Sequence, residues 1–255
     1  MKLATWNVNS IRARHDRLLA WLRAQAPDVV CLQETKVEDA AFPVDALAEL
    51  GYHAAIWGQR TYNGVAILAR TPPADVERGL GDGDDDDQAR LIAATVDGIR
   101  VVCAYVPNGG SVGSDKYAYK LRWLERLRAY LEARARPDQA WILCGDMNVA
   151  PDDRDVHDPA AWEGQLLCTP AERAGLQAAL AWGMSDVFRH HHAEGGHYSW
   201  WDYRGLAFFK DQGARIDHVF ATPPVVERSR GCVIDRAARK GTLPSDHAPV
   251  IVELG

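Results

Sequence analysis

With 255 residues, 47% of them hydrophobic and 25% charged, the chain has the composition of an ordinary soluble globular protein and is long enough to bury a large core. No stretch approaches the ~20 apolar residues of a membrane span, and residues 1–7 lack the apolar core and small-residue cleavage site of a signal peptide, so a cytoplasmic protein without a membrane partner is expected. A net charge of −6 argues against a sequence-independent nucleic-acid coat protein, yet a DNA enzyme with a local basic patch fits it. The five cysteines, an odd number without a CxxC pair, read as reduced thiols with no disulfide frame and no zinc site.

Residues 2–6 read as a short strand ending at Asn7-Val-Asn-Ser10, with Ser10 placed to cap a helix over 11–25. Leu18, Leu19, Trp21 and Leu22 line one face of that helix, and Pro27-Asp28 stops it. Residues 29–32 are a second buried strand, which ends at Gln33-Glu-Thr-Lys36. Two parallel strands of such a β-α-β unit finish on the same edge, which makes Asn7 and Glu34 neighbours. A short helix over 43–50 and strands over 52–57 and 64–69 follow. The run Asp82-Gly-Asp-Asp-Asp-Asp87 lacks the closing Glu of an EF-hand and is expected to be a solvated loop. Strands over 90–96 and 100–106 flank Asp97-Gly98, a strong hairpin signal. A helix over about 115–135 carries Tyr117, Leu121, Leu124, Leu127 and Leu131 on one face.

Residues 141–144 form an apolar run that reads as a strand covered on both faces. Gly145 breaks it, and Asp146 and Asn148 follow, on one side if the chain stays extended. Thr169-Pro-Ala-Glu172 combines capping-box spacing with Pro at the first helical position, opening a helix to about Trp182. The last strands are expected over 198–202, 215–221 and 248–253. No linker, low-complexity segment or close internal repeat appears, so one α/β domain over 1–255 is expected, with two sheets packed face to face and helices outside.

Polar residues collect where the apolar runs end: Asn7, Glu34, Tyr105 with Asn108, Asp146 with Asn148, Asp217, and Asp246 with His247. Each alone is ordinary, since Asp, Asn and Gly are turn formers and a strand-end Glu sits comfortably in water. Together they matter, because buried polar groups need partners and strand ends are where layered α/β folds place ligand sites. Carboxylate and amide oxygens without thiolate suit a hard cation, magnesium first and manganese second, with Glu34 the best single ligand and Asp246 the next. Asp217 is placed to pair with His247, fixing its tautomer and favouring the charged imidazole, which suits a phosphate oxygen. There is no Walker loop, so no nucleotide cofactor is expected, and no G-x-S-x-G elbow. Metal-assisted hydrolysis of a phosphoester is what these residue types permit. His190-His191-His192 with His197 is expected to be a solvated loop, because adjacent histidines do not share a face.

Seven motifs in order complete the picture: Trp6-Asn-Val-Asn-Ser-Ile-Arg12, Leu32-Gln-Glu-Thr-Lys36, Tyr105-Val-Pro-Asn108, Gly145-Asp-Met-Asn148, Ser199-Trp-Trp-Asp-Tyr-Arg204, Arg215-Ile-Asp217 and Ser245-Asp-His-Ala-Pro249. Over essentially its whole length the chain resembles the exonuclease III family of DNA-repair nucleases, within the endonuclease/exonuclease/phosphatase superfamily that includes DNase I. The resemblance implies a four-layer α/β sandwich. It implies Mg2+-dependent (or Mn2+-dependent) cleavage of duplex DNA 5′ to an abasic site, with 3′→5′ exonuclease and 3′-phosphatase or other 3′-end-cleaning activities in varying proportion. A monomer is expected.

Carried onto matching positions, the resemblance implies that Glu34 binds the metal with Asn7 and Asp246 nearby. Asp146 would orient and deprotonate the attacking water or protonate the leaving group, and Asn148 would hold Asp146 or the phosphate. With two metals, Asp146 and Asn148 are ligands as well. His247, oriented by Asp217, would contact a phosphate oxygen, and Tyr105 would lie against the scissile phosphate. Trp200 would pack against an extrahelical deoxyribose or wedge into the duplex, with Trp201 facing the core, because neighbours along a strand point opposite ways. Arg12 and Asn108 are expected at the DNA, as are the basic Arg14, Lys36, Lys116 and Lys120. Relatives with a basic loop after Tyr-Val-Pro-Asn carry Arg there; Gly109-Gly-Ser-Val-Gly-Ser114 is uncharged and looks like the bacterial type. Three competing readings are a 3′-end-cleaning enzyme with weak abasic-site incision, a headgroup phosphodiesterase of the same superfamily, and a catalytically dead DNA-binding module. The Trp-Trp-Asp-Tyr-Arg stretch speaks against the second. The full set of Glu34, Asp146, Asp217, Asp246 and His247 speaks against the third.

Overall fold

A computed structural model describes residues 1–84 and 86–255. Strands β1 (Lys2–Asn7) and β2 (Val29–Gln33) pair in parallel, Asn7 opposite Gln33, with helix α1 (His15–Gln25) crossing between them. The hairpin partners β3 (His53–Trp57) and β4 (Val65–Ala69) follow helix α2 (Val44–Ala48), and β4 adds antiparallel to β2. A second sheet grows from β5 (Ala74–Arg78), β6 (Leu91–Val96) and β7 (Ile99–Tyr105), the last two joined by Asp97-Gly98, both with positive φ as a tight hairpin turn requires. Helix α3 (Asp115–Arg134) then carries the chain from β7 to its parallel neighbour β8 (Trp141–Asp146). This repeats the β1-α1-β2 arrangement in the other sheet.

Helices α4 (Pro159–Trp162), α5 (Pro170–Leu180) and α6 (Val187–His191) precede the antiparallel return strand β10 (Asp217–Ala221), with β9 (Ser185–Asp186) at its edge. After α7 (Pro223–Val226), β11 (Ser229–Ile234) and β12 (Val250–Leu254) close the first sheet. The two six-stranded sheets run β11-β12-β1-β2-β4-β3 and β5-β6-β7-β8-β10-β9.

Strand parity builds four layers. Leu3, Val29, Cys31 and Ile67 from one sheet meet Val101, Cys103, Ile142, Cys144 and Val219 from the other in a shared core. Their neighbours turn outward: Ala4, Val30 and Leu32 pack on Leu18, Leu22 and Leu47 of α1 and α2, while Leu143 and Phe220 pack on Leu124, Leu127 and Leu176 of α3 and α5. Alternation of faces thus sends Asn7, Tyr105, Asp146 and Asp217 into the seam between the sheets, all at one end of it. The five cysteines are free and buried, as expected. Among the described residues, no helix is long and apolar enough to cross a membrane.

Three sequence expectations are corrected. Ser10 does not cap α1, which starts at His15 with Arg14 as N-cap. The Glu34 loop claims that stretch instead, since Ser10 and Ile11 donate their backbone N–H groups to the carbonyls of Glu34 and Thr35. Residues 198–202 are not a strand; Ser199 and Trp200 both donate to the carbonyl of Ala214, leaving Trp200 on isolated bridges to Ala214 and His247. The described residues of the acidic run lie in a largely exposed loop, as expected, and the Arg126 guanidinium ties that loop down by pairing with Asp82, Asp84 and Asp86 while Tyr119 donates to Asp86. Its Asp85 lies outside the described residues. The histidines, by contrast, are not a solvated loop. His190 and His191 end α6, His191 bonds Ser229 Oγ, and His192 Nε2 bonds the Cys232 carbonyl.

Candidate active site

Gly145 is what lets β8 deliver its last residue into the seam. Its φ is 141°, and a Cβ there would stand 1.9 Å from the Ala104 carbonyl oxygen on β7. The close approach places Asp146 opposite Asp217 in the antiparallel register of β8 and β10. Asn7, at the end of β1, reaches across from the other sheet and donates its amide to Glu34 Oε1 at 2.8 Å and to Asp146 Oδ2 at 2.9 Å. Asn7 and Glu34 are therefore neighbours, as parallel strands require. Glu34 (φ 52°), Asn9 (φ 44°) and Asn148 (φ 48°) all hold left-handed backbone, a conformation that costs more for Glu34 than for the two asparagines.

His247 lies just before β12, its backbone carbonyl accepting from Trp6 Nε1 and its N–H donating to Ser245 Oγ. Its Nδ1 is 2.8 Å from Asp217 Oδ2 and its Nε2 is 3.8 Å from Asp146 Oδ2. Burial works against an imidazolium here, but the charges of Asp217 and Asp146, with Asp246 adding to them, raise its pKa to about 10. Asp217 is itself fixed by Ser199, whose hydroxyl donates at 2.7 Å while accepting the N–H groups of Ile216 and Asp217. Burial first, and then the like charges of Asp217 and Glu34, raise Asp146 to about 7 against the opposing pull of His247. Burial also opposes the charge on Glu34, yet Lys36, Asn7 and His247 hold its pKa below the ordinary value. Tyr105 stays a phenol, its pKa raised well above the ordinary value by burial and by the charges of Glu34 and Asp146.

The donor set fits a divalent cation. The ligand atoms of Glu34, Asp146 and His247 lie within 4.8 Å of one another. With His247 charged and bonded to Asp217, the two carboxylates are what remains for a metal, and oxygen donors suit a hard ion. The Lys36 ammonium already sits at such a position, 2.7 Å from Glu34 Oε2 and 2.6 Å from Asn9 Oδ1. Asp217 Oδ1 is buried without a partner, a further sign of negative charge in excess. Asp246 is turned aside from the pair, accepting from Asn9 Nδ2 at 2.9 Å and Trp200 Nε1 at 3.1 Å. Asn148 donates its N–H to Asp146 Oδ1 and its amide to the Val106 carbonyl, and its Oδ1 accepts from Asn108.

Glu34, Tyr105, Asn108, Asp146, Asn148, Asp246 and His247 line a cleft of about 650 Å³ together with the apolar Trp162, Leu166, Leu167, Trp200 and Ile216. Trp200 lines the cleft, whereas Trp201 is buried against Phe208 and Ala248. Arg12 lies outside it, in a separate groove with Ile11, His15 and Leu243. Lys120 is fully buried and bonded to Glu172, so it is not a surface cation for phosphate; it donates to the carbonyls of Asn148 and Asn108 at 2.6 and 3.2 Å. Sequence reasoning missed Asn9 and Ser199 as site residues. Both stand inside quoted motifs, but their tasks depend on Asp246 and Asp217, far away in the chain.

The fold and this site define a hydrolytic nuclease. The chain belongs to the Endonuclease/Exonuclease/phosphatase family, whose pattern it matches over residues 4–247. It is similar to the exodeoxyribonuclease III of Haemophilus influenzae, at 34% identity over 99% of each chain. Among solved structures it is similar to an AP endonuclease from Archaeoglobus fulgidus, at 40% identity and TM-score 0.97, covering 100% of this chain and 99% of that one. It is likewise similar to the 3′ phosphatase NExo from Neisseria, seen bound to product DNA hairpin, at 40% identity and TM-score 0.96 with the same coverage.

Proposed function

We propose that residues 1–255 are one catalytic domain of a monomeric, cytoplasmic DNA-repair hydrolase of exodeoxyribonuclease III type. It hydrolyses a phosphodiester 5′ to an abasic site in duplex DNA, with 3′→5′ exonuclease and 3′-phosphatase activity at the same site. The observation that carries this reading is the chain of contacts Asp217–His247–Asp146 at a cleft lined by both polar and apolar side chains. Asp146, poised near neutrality, accepts a proton from the attacking water as its oxygen bonds to phosphorus. The P–O3′ bond breaks, and the departing O3′ is protonated from solvent. His247, charged and held by Asp217, donates to a non-bridging oxygen as negative charge gathers there, and Tyr105 presents its hydroxyl to the same phosphate. Asn148 keeps Asp146 aimed through its backbone N–H. Glu34 and Asp146, with Asn7 bridging them, would hold a magnesium or manganese ion, which would supply Lewis-acid polarisation of the phosphoryl group.

In the same cleft, Trp162, Leu166, Leu167 and Trp200 offer apolar surface suited to a deoxyribose that has lost its base. Extruding such a nucleotide costs least, because no base pair is broken. A second reading, in which 3′-end cleaning dominates, is favoured by the likeness to NExo, a 3′ phosphatase. One labelled duplex with a single internal abasic analogue, run beside the same duplex ending in a 3′ phosphate, separates the two. Magnesium-dependent incision 5′ to the abasic site, abolished by EDTA, supports the first. Release of the 3′ phosphate without incision supports the second, and no reaction on either overturns both.

A further inference from the structure

Outside the cleft, one group of side chains has the geometry of a metal site. His192 Nδ1 and His197 Nε2 lie 3.5 and 3.0 Å from the same oxygen, Glu194 Oε1. All three ligand atoms fall within 4.8 Å of one another. A tetrahedral zinc ion, bonded at its usual length, holds its ligand atoms about 3.3 Å apart. We propose that His192, Glu194 and His197 bind a first-row transition ion, zinc being the best fit, at a site that shares no residue with the active-site cleft.

Three further observations distinguish this group from a chance surface pairing. His192 Nε2 is 2.7 Å from the Cys232 carbonyl, which accepts its proton and leaves the Nδ1 lone pair free for an ion. A second-shell carbonyl behind a ligating imidazole is how proteins fix the tautomer and orientation of metal-bound histidine. The His192 ring is also stacked on Phe188, centroids 4.4 Å apart and planes 25° from parallel. The backbone that carries the ligands is tied down as well. Arg189 donates to the carbonyls of His192 and Glu194 at 3.3 and 2.6 Å, and Arg154 to that of Ala193 at 2.7 Å. The turn is thus held by two guanidinium groups and one ring by a carbonyl before any ion arrives.

Two imidazoles and one carboxylate select zinc, nickel or copper over magnesium, so the ion differs in kind from the one suited to Glu34 and Asp146. Glu194 is mostly exposed, which leaves the fourth position to water. An ion there closes the turn between α6 and the segment that continues to Ser199, whose hydroxyl supports Asp217.

The test is zinc stoichiometry on tag-free protein, stripped with EDTA and equilibrated with zinc, with His192→Ala and His197→Ala variants in parallel. Wild type is expected to retain one zinc equivalent more than either variant, and zinc is expected to raise the melting temperature of wild type by more than it raises theirs. Magnesium-dependent cleavage should be unchanged in both. His197→Ala leaves the Phe188 stack and the Cys232 contact intact, so it remains informative if His192→Ala folds poorly. Equal zinc content in wild type and His197→Ala overturns the proposal. Because any zinc held by the Glu34 cluster is common to all three proteins, the result stands apart from the nuclease assignment.

Discussion

His247 is a cation only because its neighbours make it one. Burial disfavours the charged ring, and the Asp217 carboxylate at 2.8 Å, joined by Asp146 and Asp246, outweighs that cost. Removing that charge with Asp217→Asn lowers the imidazole pKa. If the rate needs the imidazolium, the alkaline fall of kcat/KM then begins at lower pH, by at least about one unit, because a neighbouring opposite charge is worth that much or more. A pH–rate profile whose alkaline limb stays in place would remove His247 from the role given to it. Gly145 acts through space rather than charge. Gly145→Ala brings a methyl to 1.9 Å from the Ala104 carbonyl and demands a backbone conformation that alanine resists. Urea unfolding should show a loss of roughly 1–3 kcal/mol, with activity falling further because Asp146 is the next residue. Much at this scale was legible in the sequence. The ends of apolar runs pointed to Asn7, Glu34, Asp146, Asp217 and His247, and the β-α-β rule alone predicted the Asn7–Glu34 contact. Asn9 and Ser199 were not legible as site residues, since a side chain that supports another is recognised only when the two are seen together.

Helices α3 and α5 reach the site through one buried ion pair. Lys120 on α3 and Glu172 on α5 are both fully buried, and the lysine also holds the carbonyls of Asn148 and Asn108. Glu172 in turn closes the capping box of α5 by accepting from Thr169. Lys120→Met leaves Glu172 without its cation and should cost about 3–5 kcal/mol in denaturant unfolding. A change below about 1 kcal/mol would show that the pair is not a joint between helix and site. Sequence periodicity anticipated the bulk of α1 and α3 and the eight central strands, because each buries a continuous apolar face. It missed β5, β9 and β11, and for a physical reason. Every residue of β5 is exposed, β9 is two residues long, and of β11 only Cys232 is buried. Such edge strands are held by backbone pairing, which leaves no hydrophobic signature. Lys120 was misread as a surface cation because a helix pattern shows which face is apolar, not which lysine has an acidic partner beneath it.

At the scale of the molecule, two sheets bring a polar end of their seam to one cleft, and neither sheet holds the site alone. Asn7, Glu34 and His247 come from the first sheet and its loops, Tyr105, Asp146 and Asp217 from the second. A chain with a net charge of −6 must attract DNA through local basic residues against an unfavourable overall field. Raising salt from about 50 to about 200 mM should therefore raise KM steeply while kcat changes little, since phosphate contacts are the salt-sensitive part of DNA binding. A kcat that falls in step with 1/KM would place the salt effect in the chemistry instead. The seam itself was foreseeable as two packed sheets, but the tethering of the acidic run by Arg126 was not, because it joins residues of opposite charge about 40 positions apart.

On the proposed mechanism, Asp146, aimed by Asn148 and flanked by His247, performs the chemistry on a DNA phosphodiester bound in this cleft. The most direct measurement pairs single-turnover cleavage with binding for Asp146→Asn on a duplex carrying one abasic analogue, in magnesium. Incision 5′ to the abasic site is expected to slow by at least about a hundredfold, the usual cost of losing a group that acts in the transition state, while the duplex is still bound. Full turnover by Asp146→Asn would contradict it.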